Sequence, residues 1–165
     1  MRKIAFAGLL AGLLFQPSVA AGYLATIPVG ELVLWFDVAV WRIERQGDLY
    51  AIHAIDAGPL DAPIEIEVSD QGKRPCSPEA VGDLARLLYE HAWEYHTATI
   101  PRPGFDLHVA TLDMGCRNWT GSPVFACTSF EGKDYFVTAN PGGCSRTPPN
   151  YDGPVIDLLM GLSLP

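Results

Sequence analysis

The chain has 165 residues, with 19 acidic side chains against 11 basic ones and a formal charge of −8. That balance argues against nucleic-acid and anionic-membrane binding, which need cationic surfaces. The length suits one domain of ordinary size, able to bury about two-thirds of the surface its unfolded chain exposes.

Residues 1–21 have the form of a cleavable secretory signal peptide. Met1-Arg2-Lys3 gives a basic tip, Ile4 to Phe15 an unbroken apolar run, and Ser18-Val19-Ala20-Ala21 a small-residue cleavage site after Ala20 or Ala21. The run of 12 residues is shorter than the roughly 20 that span a bilayer, and no cysteine near the site offers a lipid anchor. Cleavage would remove Arg2 and Lys3, leaving nine basic residues against 19 acidic ones and a net charge of −10. The expected product is a single globular domain, residues 22–165, in the periplasm or outside the cell.

The stretch from Leu32 to Ile43 carries Asp37 and Arg42 and reads as a strand. Trp35 to Arg45 and Asp48 to Asp56 are rich in β-branched and aromatic residues around Gln46-Gly47, which predicts a hairpin with a two-residue turn. Arg45 then pairs with Asp48, Ile43 with Tyr50, Trp41 with Ile52 and Ala39 with Ala54. The same register sets Asp37 opposite Asp56. Like charges directly opposite are unfavourable on a sheet, so this carboxylate pair is a candidate acid/base dyad or oxygen-ligated cation site.

Ile64-Glu65-Ile66-Glu67-Val68 alternates as a third strand with its glutamates outward. Ser77-Pro78-Glu79 starts a helix: an N-cap hydroxyl, proline in the first position and an acid in the first turn. Val81, Leu84, Leu88, Ala92 and Tyr95 fall on one face at helical spacing, so the helix is expected to run to near His96. Tyr89 and Trp93, four residues apart on its other flank, form a candidate partner-binding patch, since an exposed tryptophan is a typical interface anchor.

Phe105 to Val109 resumes strand alternation. Val124 to Phe130 and Tyr135 to Thr138 flank Glu131-Gly132-Lys133-Asp134 as a second hairpin, and a short apolar tail runs from Val155 to Leu164. Gly142-Gly143-Cys144-Ser145-Arg146 resembles, over those five residues, the Ser-His-Gly-Cys-x-Arg loop of L,D-transpeptidases. The histidine before the glycine is missing, and a nucleophilic thiol needs a base to hand. Cys144 is instead read as a disulfide partner.

Cys76, Cys116, Cys127 and Cys144 are an even set, which in an oxidising compartment means two disulfides. Three pairings are open. The expected pairing is Cys116–Cys127, which closes a short loop, with Cys76–Cys144 tying the helix start to the C-terminal loop.

The four histidines, His53, His91, His96 and His108, lack ligand spacing, and no HExxH, CxxC or Gly-x-Ser-x-Gly motif occurs. No metal site or cofactor is expected. Asn118-Trp119-Thr120 is a glycosylation sequon, relevant only in a eukaryotic secretory pathway.

The order of elements, βββ-α-βββ, predicts a disulfide-stapled α+β fold. In it one central helix packs on a mainly antiparallel sheet of about six strands. The expected function is an exported, non-enzymatic binding protein that recognises or inhibits a cationic macromolecule. The alternative is a small periplasmic hydrolase or cation-binding protein working through Asp37 and Asp56.

Overall fold

The structure is a computed structural model that describes residues 24–56, 62–88, 94–115, 120–121, 123–139 and 152–165. In chain order these form β1 (Leu24–Val29), β2 (Leu32–Asp37), β3 (Trp41–Gln46), β4 (Leu49–Ala54), β5 (Ile64–Asp70) and α1 (Pro78–Leu88). There follow β6 (Glu94–Arg102), β7 (Phe105–Gly115), β8 (Thr120–Gly121), β9 (Val124–Phe130), β10 (Lys133–Ala139), α2 (Asp152–Leu159) and β11 (Leu162–Ser163). The antiparallel, disulfide-linked α+β character is as expected. The strands are more numerous and form two sheets. One has three strands in the order β1-β2-β11, and the other has eight, β3-β4-β5-β10-β9-β7-β6 with β8 beside β7.

Alternation along the strands explains the layering. Ile64, Ile66 and Val68 of β5, Leu107 and Val109 of β7, Val124 and Ala126 of β9, and Tyr135 and Val137 of β10 point to one side of the large sheet. They pack there against Val29, Leu32 and Leu34 of the small sheet and Val155, Leu158 and Leu159 of α2. On the opposite side, Ala110 and Leu112, Phe125 and Cys127, and Phe136 pack under Val81 and Ala85 of α1. Strands β9 and β10 are thus covered on both faces, whereas Glu65 and Glu67 of β5 face water beyond the helix. The helix is a lid on one part of one face, not a central element.

Ser77 caps α1 as its sequence implies: its Oγ accepts the Ala80 N–H at 3.1 Å. The helix is described from Pro78 to Leu88 and does not reach His96, because Tyr95 and His96 belong to β6, which pairs with β7 from Glu94↔Asp113 to Arg102↔Phe105. Thr97, Thr99 and Ile100 favour that extended pairing. Pro101 is accommodated because β6 is the edge of the sheet.

The run from Leu32 to Ile43 is two strands in different sheets. Asp37 breaks it: its Oδ1 accepts the Ala39 N–H at 2.8 Å and its carbonyl accepts the Val40 N–H at 3.1 Å. A carboxylate folding back on the backbone two residues on is a turn-forming arrangement that competes with the ladder. The first hairpin therefore begins only at Trp41. Its register is also two residues from the expected one, with Ile43↔Ile52 and Gln46↔Leu49. Gly47, at φ 62°, occupies the first turn position, where a positive φ is required for this hairpin geometry. A shift of two leaves every side chain on its expected face.

The disulfide joins Cys76 to Cys127, not Cys127 to Cys116 or Cys76 to Cys144. Cys127 lies on the α1 side of β9, opposite His108 of β7, and Cys76 immediately precedes the Ser77 cap. The bridge pins the helix start to the sheet beneath it. Cys116 and Cys144 lie outside the described residues.

Candidate functional site

The structure does not bring Asp37 and Asp56 together. Tyr89 and Trp93 lie outside the described residues. Asp37 is not opposite Asp56: its partner across the small sheet is Leu24, while Asp56 sits in the turn that follows β4. The splitting of β2 from β3 removes the register on which the carboxylate pair depended. Among the described residues, no group of three or more His, Cys, Asp or Glu side chains is placed to hold a metal ion.

Exposed apolar side chains point elsewhere. Among the described residues nine large ones are exposed, and four of them gather at one groove. Leu24, Trp35, Val40 and Met160 line a groove of about 510 Å³ between the small sheet and α2, a size usual for ligand clefts. Phe36, Trp41 and the buried Leu158 contribute further apolar lining, and among the described residues Asp37 and Asp157 are the only ionisable groups along it. Trp35 is 49% exposed and Leu24 68%, so the groove opens to water rather than closing over them.

The wall carrying Met160 and Asp157 is held by specific contacts. Trp35 donates its backbone N–H to the Gly161 carbonyl at 2.9 Å, and Gly161 has no room for a side chain, since a Cβ there would collide with the Trp35 carbonyl. Arg102, at the end of the edge strand β6, donates through one guanidinium nitrogen to the carbonyls of Met160 at 2.7 Å and Leu162 at 3.0 Å. These carbonyls belong to the turn after α2 and to β11. The groove is pre-formed by backbone contacts.

A second depression, about 860 Å³, lies where the β1–β2 turn meets β3, β4 and β5. It is polar and its charges answer one another. Lys133 Nζ donates to Asp70 Oδ1 at 2.7 Å and Lys73 Nζ lies 3.6 Å from Asp70 Oδ2. The hydrogen bond and charge of Lys133, and then of Lys73, hold the Asp70 carboxyl below 3.8. The same bond to Asp70 raises Lys133 above 10.5. Tyr135 accepts the Glu31 N–H at 2.9 Å at the edge of this depression, and burial pushes its hydroxyl above 10.0. The Lys133–Asp70 pair lies within the large sheet, and the Tyr135–Glu31 bond ties the β1–β2 turn of the small sheet to it.

The structure also contains a buried carboxylate that the sequence pattern did not single out. Asp134 is 2% exposed; its Oδ2 accepts the Gly72 N–H at 3.0 Å and its Oδ1 the Ser129 hydroxyl at 2.5 Å. It joins the turn after β5 to the β9–β10 hairpin, a structural task.

Neither Trp35 nor Asp157 stood out in the sequence. Trp35 lies within a continuous apolar run, and Asp157 is the one acid inside the apolar tail from Val155 to Leu164. That isolated acid was the available signal. The chain matches no family model and none of the curated proteins.

Proposed function

We propose that this chain is an exported, non-enzymatic binding protein, periplasmic or secreted, that recognises a cationic macromolecule. The observation that carries the reading is the groove between the small sheet and α2, where exposed apolar side chains lie beside Asp37 and Asp157 and no basic residue among the described ones lines it. Clustered exposed apolar surface marks interaction sites. An excess of acidic residues, 19 against 11 over the chain, attracts basic partners and repels acidic ones. The Cys76–Cys127 disulfide fits an oxidising compartment, and no helix among the described residues is long and apolar enough to cross a membrane. The carboxylate-pair enzyme is left without its geometry.

The reading is tested by binding of the secreted form to basic and acidic proteins of similar size, measured at low and high salt. Basic proteins are expected to bind, with affinity falling as salt rises. Equal binding to both sets, or to neither, contradicts it.

A further inference from the structure

We infer that the groove between the small sheet and α2 is a peptide-docking site, and that its occupant is a segment carrying apolar side chains next to a lysine or arginine. The inference rests on the binding-protein reading above and names the surface and the ligand chemistry. Three features carry it.

The first is chemical. A half-exposed indole, Trp35, stands with the exposed Met160 and Leu24 over the buried Leu158. Tryptophan supplies a large rigid contact area with one donor, and methionine adapts to irregular apolar shapes. A partner's apolar side chains would remove this surface from water.

The second is electrostatic. Asp37 ends β2 and Asp157 lies on α2, so carboxylates reach the groove from two different elements. Asp37 uses Oδ1 on the Ala39 N–H, which leaves its other oxygen for an incoming donor. Two acids line the groove, and the one cation at its wall among the described residues, Arg102, is committed to the Met160 and Leu162 carbonyls, so the lining favours a cation over an acidic segment.

The third is pre-organisation. The Trp35–Gly161 backbone bond and the Arg102 clamp on Met160 and Leu162 fix the far wall. A site held in this way loses little freedom on binding.

The test uses the secreted full-length domain and three synthetic peptides of equal length. One combines leucine with lysine, one replaces each lysine by glutamate, and one replaces each leucine by serine. Affinities are measured by calorimetry for the wild type, Trp35→Thr, the double variant Asp37→Asn/Asp157→Asn, and a remote control, Glu65→Gln/Glu67→Gln. Threonine suits position 35 because it faces Thr26 across the sheet and keeps strand preference. Asparagine at 37 retains an oxygen for the Ala39 N–H. Thermal melts establish that each variant is folded.

The leucine–lysine peptide is expected to bind tightest. Trp35→Thr should weaken it about tenfold or more. The double aspartate variant should weaken it severalfold and flatten its salt dependence, while the remote control leaves binding unchanged. If the peptide binds and both groove variants bind it equally well, the groove inference falls and the binding-protein reading stands. If the glutamate peptide binds as well as the lysine peptide, or nothing binds, both fall. Concentration-dependent dimerisation that Trp35→Thr abolishes would make the groove a self-interface, and would also overturn the inference.

Discussion

From Val124 to Cys127, successive side chains of β9 face opposite ways, and all four are buried, Val124 and Ala126 beneath the small sheet and Phe125 and Cys127 beneath α1. At the end formed by β1, β2 and α2, side chains of the same apolar kind stay in water, Trp35 at 49% and Leu24 at 68% exposure. The two regions differ in layers, not composition. The middle of the large sheet has a covering on each face, and among the described residues nothing covers the outer face of the small sheet. An apolar side chain in the first region stabilises the fold; in the second it is available to a partner. That contrast separates residues whose loss should unfold the protein from residues whose loss should only disarm it.

The largest effect is expected at the bridge beneath α1. Cys76 and Cys127 are 51 residues apart, and a closed loop of that length stabilises by about 4 kcal/mol on chain-entropy grounds. Replacing both by alanine should lower the unfolding free energy accordingly, as read by urea denaturation. Peptide mapping without reduction should return Cys76 linked to Cys127, which leaves Cys116 and Cys144 as the second pair.

Next comes Asp134, the buried link between two turns. Asp134→Ala strands the Gly72 N–H and the Ser129 hydroxyl, and about 1–3 kcal/mol of stability should go with them. Gly161→Ala sharpens the contrast from the other side. A methyl group there meets the Trp35 carbonyl, so the groove wall must move, at about 1–3 kcal/mol by analogy with overpacking. Peptide binding should weaken in the same variant although no lining side chain has been removed.

The smallest effect belongs to the exposed Asp70–Lys133 pair. Asp70 titrates below 3.8 in the folded protein, so its contribution is present above that value and is lost as pH falls through the folded midpoint. Lys133 titrates above 10.5, so its contribution is complete below 10.5 and is lost as pH rises through the folded midpoint. The pair therefore supports the fold between those limits, weakly, because both groups are solvated and salt-screened. NMR titration should place Asp70 below the usual carboxylate range, and Asp70→Asn should return Lys133 toward its ordinary value.

Much of the large sheet was readable from local pattern. The faces of β3 and β4, the outward glutamates of β5, the capped start of α1 and the β9–β10 hairpin all follow from alternation and turn chemistry. What local pattern could not resolve was the competition between neighbouring signals. Asp37 turns the chain inside an apolar run that reads as one strand, and the segment after Leu88 keeps a helical spacing although Thr97, Thr99 and Ile100 pair with β7. The groove was hidden for a further reason. Trp35 and Asp157 are 122 positions apart, and only the docking of the turn after α2 on β2 makes them neighbours. Nothing in the segment around Leu24 marks β1 as a strand with one bare face.

Equilibrium unfolding of Phe125→Ala beside Trp35→Thr tests the contrast most directly. Phe125, 1% exposed under α1, should cost about 3–5 kcal/mol when truncated. Trp35→Thr, at a half-exposed position, should cost less, about 1–2 kcal/mol. Comparable losses in the two variants would place Trp35 in the core and contradict the separation of folding from binding.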